Sequence, residues 1–459
     1  MPQNLLAMTT KQILDYVKAH PSGKVKLAAT DIDGVLRGKY VSTEKFLGLV
    51  GNNMGFCDVV FGWDMGDVAY DNATYTGWHT GYPDAKAMID VTTFRTIPWE
   101  DNLPFFLCEF VDDKLQPLYL CPRQLLKKTI SEANKVGFTP YFSQEFEWFN
   151  FEETPQSLHS KNFNGLQPLT PGMFGYSILR STYRNDFFTA LFDGLKNFNV
   201  PIEGLHTETG PGVYEAAIAY SGTLEAADRA VLFKTATKEI AYHHGIIATF
   251  MAKFNENLPG CSGHVHQSLW DKKSTKNLFH DEKDKNKMSA VFKSYLAGQL
   301  YCLPHILPMV APTINSYKRL VEGAWAPTTV TWSVDNRTVA LRALPGGSKS
   351  SRLETRVVGS DTNPYLAMSA CLAAGLYGIK KNLTLKQPAT LGNGYRDESN
   401  GCFPKNLHDA TVAMRYSKVA NELFGEKFVQ HFTQTRDWEW RQFAKVVTDW
   451  ELKRYMEII

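Results

Sequence analysis

A run of alternating aromatic and acidic residues, Thr139 to Phe151, restricts the fold of this chain more than any other segment. A strand sends successive side chains to opposite faces, so Phe146 and Trp148 would face a core. Glu145 and Glu147 would then project together, about 7 Å apart. Two adjacent carboxylates on a half-buried strand repel each other, and their burial without a partner is costly. A bound cation is the simplest remedy, and an exposed acidic edge is the alternative.

Further carboxylates and two histidines occur where turns and strands could bring them together. Within residues 203–215, Thr-Gly-Pro-Gly is a strong turn signal that could place Glu208 and Glu215 at one end of adjacent strands. His264 and His266 would share one face of another strand. A lone histidine is more often structural than a metal ligand, but these two accompany four carboxylates. Such a carboxylate-rich set favours Mg²⁺ or Mn²⁺ over zinc.

A third cluster consists of arginines that lie among small and apolar residues rather than in a mixed-charge surface. Its members are Arg319, Arg337, Arg342, Arg352 and Arg356. On a strand, Arg352, Glu354 and Arg356 would share one face. A guanidinium keeps its proton and presents a planar fork of donors that suits carboxylate or phosphate. A structural ion pair is the alternative for Glu354, but the five arginines together indicate an anion site.

The remaining patterns predict a small β-rich domain, residues 1–104, followed by a larger one, residues 105–459. In the first part we predict a helix at 9–20, a hairpin turned at Asp31-Ile-Asp-Gly34, and strands at 25–30, 36–41, 57–61, 87–91 and 94–97. The segment 105–110 is expected to open the larger part. Helices are predicted there at 122–136, 181–198, 223–244, from 364 onward, 407–423 and 436–457. Trp438, Trp440 and Trp450 are expected to pack inside.

Composition excludes several functional classes. The 49 basic and 47 acidic side chains leave no electrostatic signature for nucleic acid or an anionic membrane. The seven cysteines are odd in number and widely spaced, which argues against a disulfide framework and for a reducing compartment. We see neither the apolar run of a signal peptide nor a stretch of ~20 apolar residues. A cytoplasmic protein is expected, with small molecules and copies of itself as partners.

Taken together, these segments resemble the glutamine synthetase family over nearly the whole chain. The Glu-x-Glu strand, the Glu-x6-Glu turn, Gly-x-x-Gly-His-x-His, Asn-Ser-Tyr-Lys-Arg-Leu, Asn-Arg-Thr and Arg-x-Glu-x-Arg occur in the family's order. The resemblance implies an α+β fold, with a small N-terminal β-grasp domain and a large catalytic domain that has a curved antiparallel sheet and surrounding helices. It also implies a homo-oligomeric ring, in bacteria usually a dodecamer, with active sites between subunits.

The resemblance further implies roles for individual residues. Two or more divalent cations, Mg²⁺ or Mn²⁺, would bind in each active site: one to Glu147, Glu208 and Glu215, and a second to Glu145, His264 and Glu354. ATP would contact Glu203, Tyr220, His266, Ser268, Lys349 and Arg352. The substrate carboxylate and the transferred phosphate would be held by Arg319, Arg337 and Arg342. Arg356 would stabilise the phosphorylated intermediate, and Gly260 would lie beside the bound glutamate.

The acceptor site departs from the family pattern. Trp325 stands where members that use ammonia generally have a glutamate. In this respect the chain resembles members that lack that glutamate, such as the γ-glutamylpolyamine synthetases. An indole cannot neutralise ammonium or take its proton, but its area can cover an alkyl chain. An organic amine is therefore favoured, although Glu322 could partly compensate. The aspartate that deprotonates the amine, expected from the neighbouring subunit, is predicted to be Asp64, with Asp58 as the alternative.

The implied reaction activates a carboxylate. The γ-carboxylate of glutamate would take the γ-phosphoryl group of ATP, and an amine would then displace phosphate to form an amide. Three hypotheses follow: a ligase for an alkylamine, polyamine or ethanolamine, an ordinary glutamine synthetase that uses ammonia, and an inactive structural relative like the lens protein lengsin. The third predicts damaged metal positions, whereas all six predicted ligands are present.

Overall fold

The structure, a computed structural model, describes residues 8–459, so the first seven residues of the predicted N-terminal domain lie outside it. The helices are α1 Thr10–Ala19, α2 Thr43–Leu49, α3 Pro122–Lys135, α4 Pro155–Ser160, α5 Ile178–Tyr183, α6 Asn185–Asn197, α7 Thr223–His243, α8 Ala290–Ile306, α9 Ile314–Arg319, α10 Pro364–Lys380, α11 Leu407–Arg415, α12 Lys418–Phe424, α13 Glu426–Phe443 and α14 Asp449–Tyr455. The strands are β1 Lys24–Thr30, β2 Leu36–Ser42, β3 Asn53–Cys57, β4 Asp84–Ile89, β5 Arg95–Ile97, β6 Leu103–Val111, β7 Thr139–Phe151, β8 Ile202–Thr207, β9 Val213–Ile218, β10 Ser221–Gly222, β11 Ile247–Thr249, β12 Val265–Trp270, β13 Trp332–Val334, β14 Leu341–Leu344 and β15 Arg352–Thr355.

The first sheet has the strand order β2-β1-β6-β4-β3, with β5 also paired to β6. Strands β1 and β6 are parallel, and the other pairs are antiparallel. The predicted hairpin is confirmed: Asp31 accepts hydrogen bonds from the backbone nitrogens of Asp33 and Val35, and Gly34 has a φ of 84°. Only glycine adopts that conformation without strain, which explains the Asp-Gly turn.

The second sheet has the order β13-β14-β15-β12-β7-β9-β8, with β10 and β11 also paired to β7. All its pairs are antiparallel except β13 with β14. Along β7 the side chains alternate between buried and half-buried up to Trp148, as predicted. Phe146 and Trp148 are fully buried against α7, so Glu145 and Glu147 occupy the opposite face. The predicted α+β fold with its curved sheet is confirmed.

Strand β6 corrects the prediction that residues 105–110 open the larger part of the chain. It is the central strand of the first sheet, and the residue boundary at 104 falls within it. Phe106 and Phe110 belong to the core of the first sheet, whereas Phe105 and Leu107 belong to the larger core. Because both faces are buried, the strand reads as a continuous apolar run. We propose that the division into domains lies after Val111.

Several other boundaries differ from the predictions. The strand predicted at 57–61 is β3, which ends at Cys57, and a single 3₁₀ turn follows it. The helix predicted at 181–198 is α6, preceded by the short α5, and the two C-terminal helices are each divided in two. Trp438 packs inside as expected, but Trp450 is 61% exposed on the single chain. The predicted N-cap at Asn363 is confirmed, because its side chain accepts from the nitrogen of Tyr365.

The two parts of the chain are joined by polar contacts at the hairpin turn. Arg436 of α13 donates to Asp33 at 2.5 Å, and both side chains are buried. Asn363 donates to the carbonyl oxygens of Asp31 and Ile32, which fixes the turn against the start of α10. Among residues 8–459, no helix combines the length and apolar character needed to cross a membrane.

Candidate active site

Strand register brings the first set of acidic residues together. In the antiparallel pairing, Glu147 of β7 lies opposite Glu215 of β9, and Glu215 lies opposite His206 of β8. Glu208 follows directly after β8. Ligand atoms of His206, Glu208 and Glu215 all lie within 4.8 Å of one another. The turn at residues 209–212 therefore does bring Glu208 and Glu215 to one end of adjacent strands, as predicted.

A second set forms on the other side of β7. His266 of β12 lies opposite Glu354 of β15. Strand β7, which carries Glu145, pairs with the other edge of β12. Nδ1 of His264 lies 2.8 Å from Oε1 of Glu145 and 3.3 Å from Oε1 of Glu354. Nε2 of His266 lies 3.4 Å from Oε2 of Glu145. The structure thus unites Glu145, His264 and Glu354, and it adds His266 to them.

Both sets have the chemistry of divalent-cation sites. Carboxylate oxygens predominate in each, which suits Mg²⁺ or Mn²⁺, and each set also offers imidazole nitrogen. In the described part of the chain, Nε2 of the buried His264 has no hydrogen-bond partner. A buried polar atom without a partner is costly unless a ligand or water satisfies it. These residues therefore fit two divalent cations.

The charges in this region are strongly coupled. Burial opposes the ionisation of Glu354, but Arg356, His264 and His266 outweigh it and lower the pKa of Glu354 to about 2. Burial and the nearby Arg356 lower the pKa of His264, although its contacts with Glu145 and Glu354 oppose the shift. Burial raises the pKa of Glu215 above its ordinary range, and Glu145 adds to the rise, although contact with His206 opposes it. The acidic face needs positive charge to stay ionised.

Arginines supply part of that charge from β14 and β15. Arg342 lies opposite Glu354 and donates to its Oε2 at 2.9 Å, and Arg356 donates to its Oε1. Arg319, at the end of α9, is 2% exposed and donates to the carbonyl oxygens of residues 356 and 357 at 3.0 and 3.1 Å. The side chain of Arg337 is exposed, and its carbonyl accepts from Arg356.

The residues predicted to contact ATP line one cavity of about 350 Å³ beside Glu145. They are Glu203, Tyr220, His266, Ser268, Lys349 and Arg352. Nε of Arg352 donates to Nδ1 of His266 at 3.3 Å. Tyr220 is 58% exposed at the rim. The cavity opens next to the second acidic set, so an elongated anion bound in it could reach the cations.

Gly260 packs against Arg319, and Trp325 lies in the loop that follows α9. A Cβ atom at Gly260 would lie 2.8 Å from Cγ of Arg319, so the backbone there is packed against that side chain. Trp325 is 57% exposed and has a φ of 56° in the loop that follows α9. Glu322 of the same loop pairs with Arg396 at 3.1 Å, and both side chains are more than half exposed. Nothing in that geometry directs Glu322 to the acidic sets.

The predicted aspartates do not reach the acidic sets within the single chain. Asp64 accepts from Nε1 of Trp438 at 2.8 Å and from the nitrogens of Gly66 and Val68. Asp58 is buried and accepts from Thr76 at 2.6 Å. A role for Asp64 in a neighbouring subunit's site therefore stays a prediction.

His206 is the site residue that the sequence reasoning missed. It lies two positions before Glu208, so the two residues share a strand face, and that spacing was visible in the sequence. The ring of Tyr176 stacks on the ring of His206, with centroids 4.5 Å apart.

Comparison with known proteins agrees with this geometry. The family model for the catalytic domain of glutamine synthetase matches residues 119–455. Type-1 glutamine synthetase 2 of Dictyostelium discoideum is 54% identical over 97% of this chain and 86% of its own length. Glutamate–isopropylamine ligase of a Pseudomonas species is 36% identical over 98% of this chain and 99% of its own. The solved structure of a GmaS/ADP complex superposes with a TM-score of 0.83 at 25% identity, covering 97% of this chain and 99% of that one.

The fold and the site define a ligase that joins carbon to nitrogen at the expense of ATP. The chain belongs to the glutamine synthetase family, whose members generally use ATP and divalent metals.

Proposed function

We propose that this protein phosphorylates the γ-carboxylate of glutamate with ATP and transfers the γ-glutamyl group to an organic amine. The observation that carries the proposal is the convergence of two acidic sets with the arginines of β14 and β15. Five carboxylates against two divalent cations leave about one negative charge, so the arginines are needed before an anionic nucleotide and glutamate can approach. An inactive relative has no need for this arrangement.

The chain's own residues orient and stabilise the reacting groups. Lys349 and Arg352 hold the nucleotide in the cavity, and Arg342 and Arg356 face the transferred phosphoryl group. Arg319 and Arg337 hold the carboxylate of glutamate beside Gly260. When bound, the two cations neutralise charge on the phosphoryl oxygens. Preorganised positive groups are effective because they need no rearrangement when charge develops.

The acceptor is assigned from Trp325. A large indole in this loop offers apolar area for an alkyl chain, and no carboxylate of the loop points to the acidic sets to bind ammonium. The similarity to the glutamate–isopropylamine ligase supports this choice. Ordinary glutamine synthetase is the second candidate, favoured by the 54% identity to the Dictyostelium protein of that name.

We also propose that the protein is a cytoplasmic homo-oligomeric ring, a dodecamer with active sites between subunits and Asp64 deprotonating the amine of a neighbour. Seven free thiols suit a reducing compartment. Large apolar side chains are exposed on the single chain in two segments that suit contacts between copies. They include Met173, Phe174, Ile178, Leu179 and Tyr183 in one segment, and Trp450, Met456 and Ile458 in the other.

The acceptor is tested by phosphate release with ammonium, methylamine, isopropylamine, ethanolamine and putrescine. We expect at least one organic amine to exceed ammonium. Trp325→Glu should raise the ratio of ammonium to amine turnover at least about tenfold. The new carboxylate can bind ammonium, and the loss of the indole removes the apolar area that would cover an alkyl chain.

Trp450→Glu is the matched control, because Trp450 is similarly exposed and lies far along the chain in α14. An effect on assembly would change both rates and leave their ratio constant. Ammonium exceeding every amine in the unaltered protein would favour glutamine synthetase, and an unchanged ratio in Trp325→Glu would remove Trp325 from the acceptor site.

A further inference from the structure

One ring nitrogen of His206 forms a hydrogen bond with the backbone. Nδ1 lies 3.1 Å from the carbonyl oxygen of Thr207. A carbonyl oxygen only accepts hydrogen bonds, so Nδ1 carries the hydrogen in this contact. In the neutral imidazole, Nε2 then presents its lone pair. Nε2 lies 3.4 Å from Oε1 of Glu215, and ligand atoms of His206, Glu208 and Glu215 all lie within 4.8 Å of one another.

The surrounding groups fix this arrangement. Tyr176 stacks on the imidazole with its plane tilted by 25°, which sets the orientation of the ring. Oε1 of Glu208 accepts from the nitrogen and hydroxyl of Thr209, which leaves Oε2 for another partner. Oε2 of Glu147 accepts from the nitrogen of Ser262 at 2.7 Å. Metal-binding histidines commonly donate their other nitrogen to a backbone carbonyl in this manner.

We propose that His206 is an additional ligand of the cation held by Glu208 and Glu215, bound through Nε2. This inference rests on the metal requirement of the proposed function and adds a residue to the expected set of three glutamates. A cation that binds between Nε2 and Glu215 takes the place of the proton that would otherwise join them. Imidazole nitrogen favours later transition ions over Mg²⁺, so His206 shifts this site toward Mn²⁺.

The test measures metal binding without substrates. Mn²⁺ is titrated into the metal-free protein and its free concentration is followed by electron paramagnetic resonance. His206→Gln should weaken one class of Mn²⁺ site at least about tenfold. Mg²⁺ affinity, measured by calorimetry, should change less, because Mg²⁺ prefers oxygen and glutamine supplies it. His264→Gln should weaken the other class of site.

The exposed His243→Gln is the matched control and should leave both classes unchanged. Melting in metal-free buffer confirms folding, and His206→Asn is the second variant if His206→Gln does not fold. Unchanged Mn²⁺ affinity would overturn the proposal. Tighter binding would also overturn it, since it would mean that a protonated His206 competes with the cation. Because no amine is present, the result is independent of the acceptor's identity.

Discussion

Glu354→Gln should lower kcat by at least about a thousandfold and destabilise the protein by about 3 kcal/mol. Glu354 is fully buried, accepts from Arg342 and Arg356, and lies 3.3 Å from Nδ1 of His264. The amide keeps the volume but loses the charge, and its NH₂ group faces a donor. Removal of one partner from a buried ion pair leaves the other uncompensated, which is why both stability and activity fall. Phosphate release and thermal melting in metal-free buffer measure the two effects.

The control is Glu422→Gln, which removes an ion pair of similar length at the surface. Glu422 pairs with Lys381 at 2.9 Å, and both side chains are about half exposed. Exposed pairs contribute ~0–1 kcal/mol, so this variant should melt and turn over almost as the unaltered protein does. Equal behaviour of the two variants would show that Glu354 is not the charged centre of the site.

Gly260→Ala should reduce kcat/KM for glutamate about a hundredfold, although alanine adds one methyl group. The new Cβ would lie 2.5 Å from the carbonyl oxygen of Ala252 and 2.8 Å from Cγ of Arg319. Either the backbone or Arg319 must move, and such overpacking costs about 1–3 kcal/mol. A displaced Arg319 no longer meets the substrate carboxylate. Steady-state kinetics with glutamate as the varied substrate measure the loss.

Gly204→Ala gives the same chemical change without the clash. Within the described residues, a Cβ at Gly204 meets no heavy atom within 4 Å, and this glycine does not have a positive φ. Its kinetics should stay within about twofold of the unaltered protein. If Gly260→Ala were equally mild, Arg319 would not depend on the close approach at Gly260.

Alternation along single strands could be read from the sequence. It placed Glu145 with Glu147 and Arg352 with Glu354, and the structure shows both pairs on β7 and β15. It also placed His264 with His266, but β12 begins at Val265, so His264 lies just before the strand. What alternation cannot give is the register between strands. That Glu147 faces Glu215, and Glu354 faces Arg342, depends on pairing across the sheet. The resemblance to a family supplied that step.

The predictions from the sequence that differ from the structure do so for physical reasons. Strand β6 is buried on both faces, so its pattern does not show which core it belongs to. His206 was not predicted, because its contacts with Glu215 arise only when β8 pairs with β9. Trp450 lies on a surface of the single chain that would meet a second copy in the proposed ring. No pattern within one sequence fixes such contacts.

The central claim is that a carboxylate oxygen of glutamate attacks the γ-phosphorus of ATP inside the acidic and arginine-lined site. It is tested most directly with glutamate labelled with ¹⁸O in its γ-carboxylate, together with ATP, Mn²⁺ and the amine that gives the fastest turnover. The attacking oxygen stays on phosphorus when the amine breaks the carbon–oxygen bond. Mass spectrometry should therefore find one ¹⁸O atom in each phosphate released. Phosphate without the label would contradict the account.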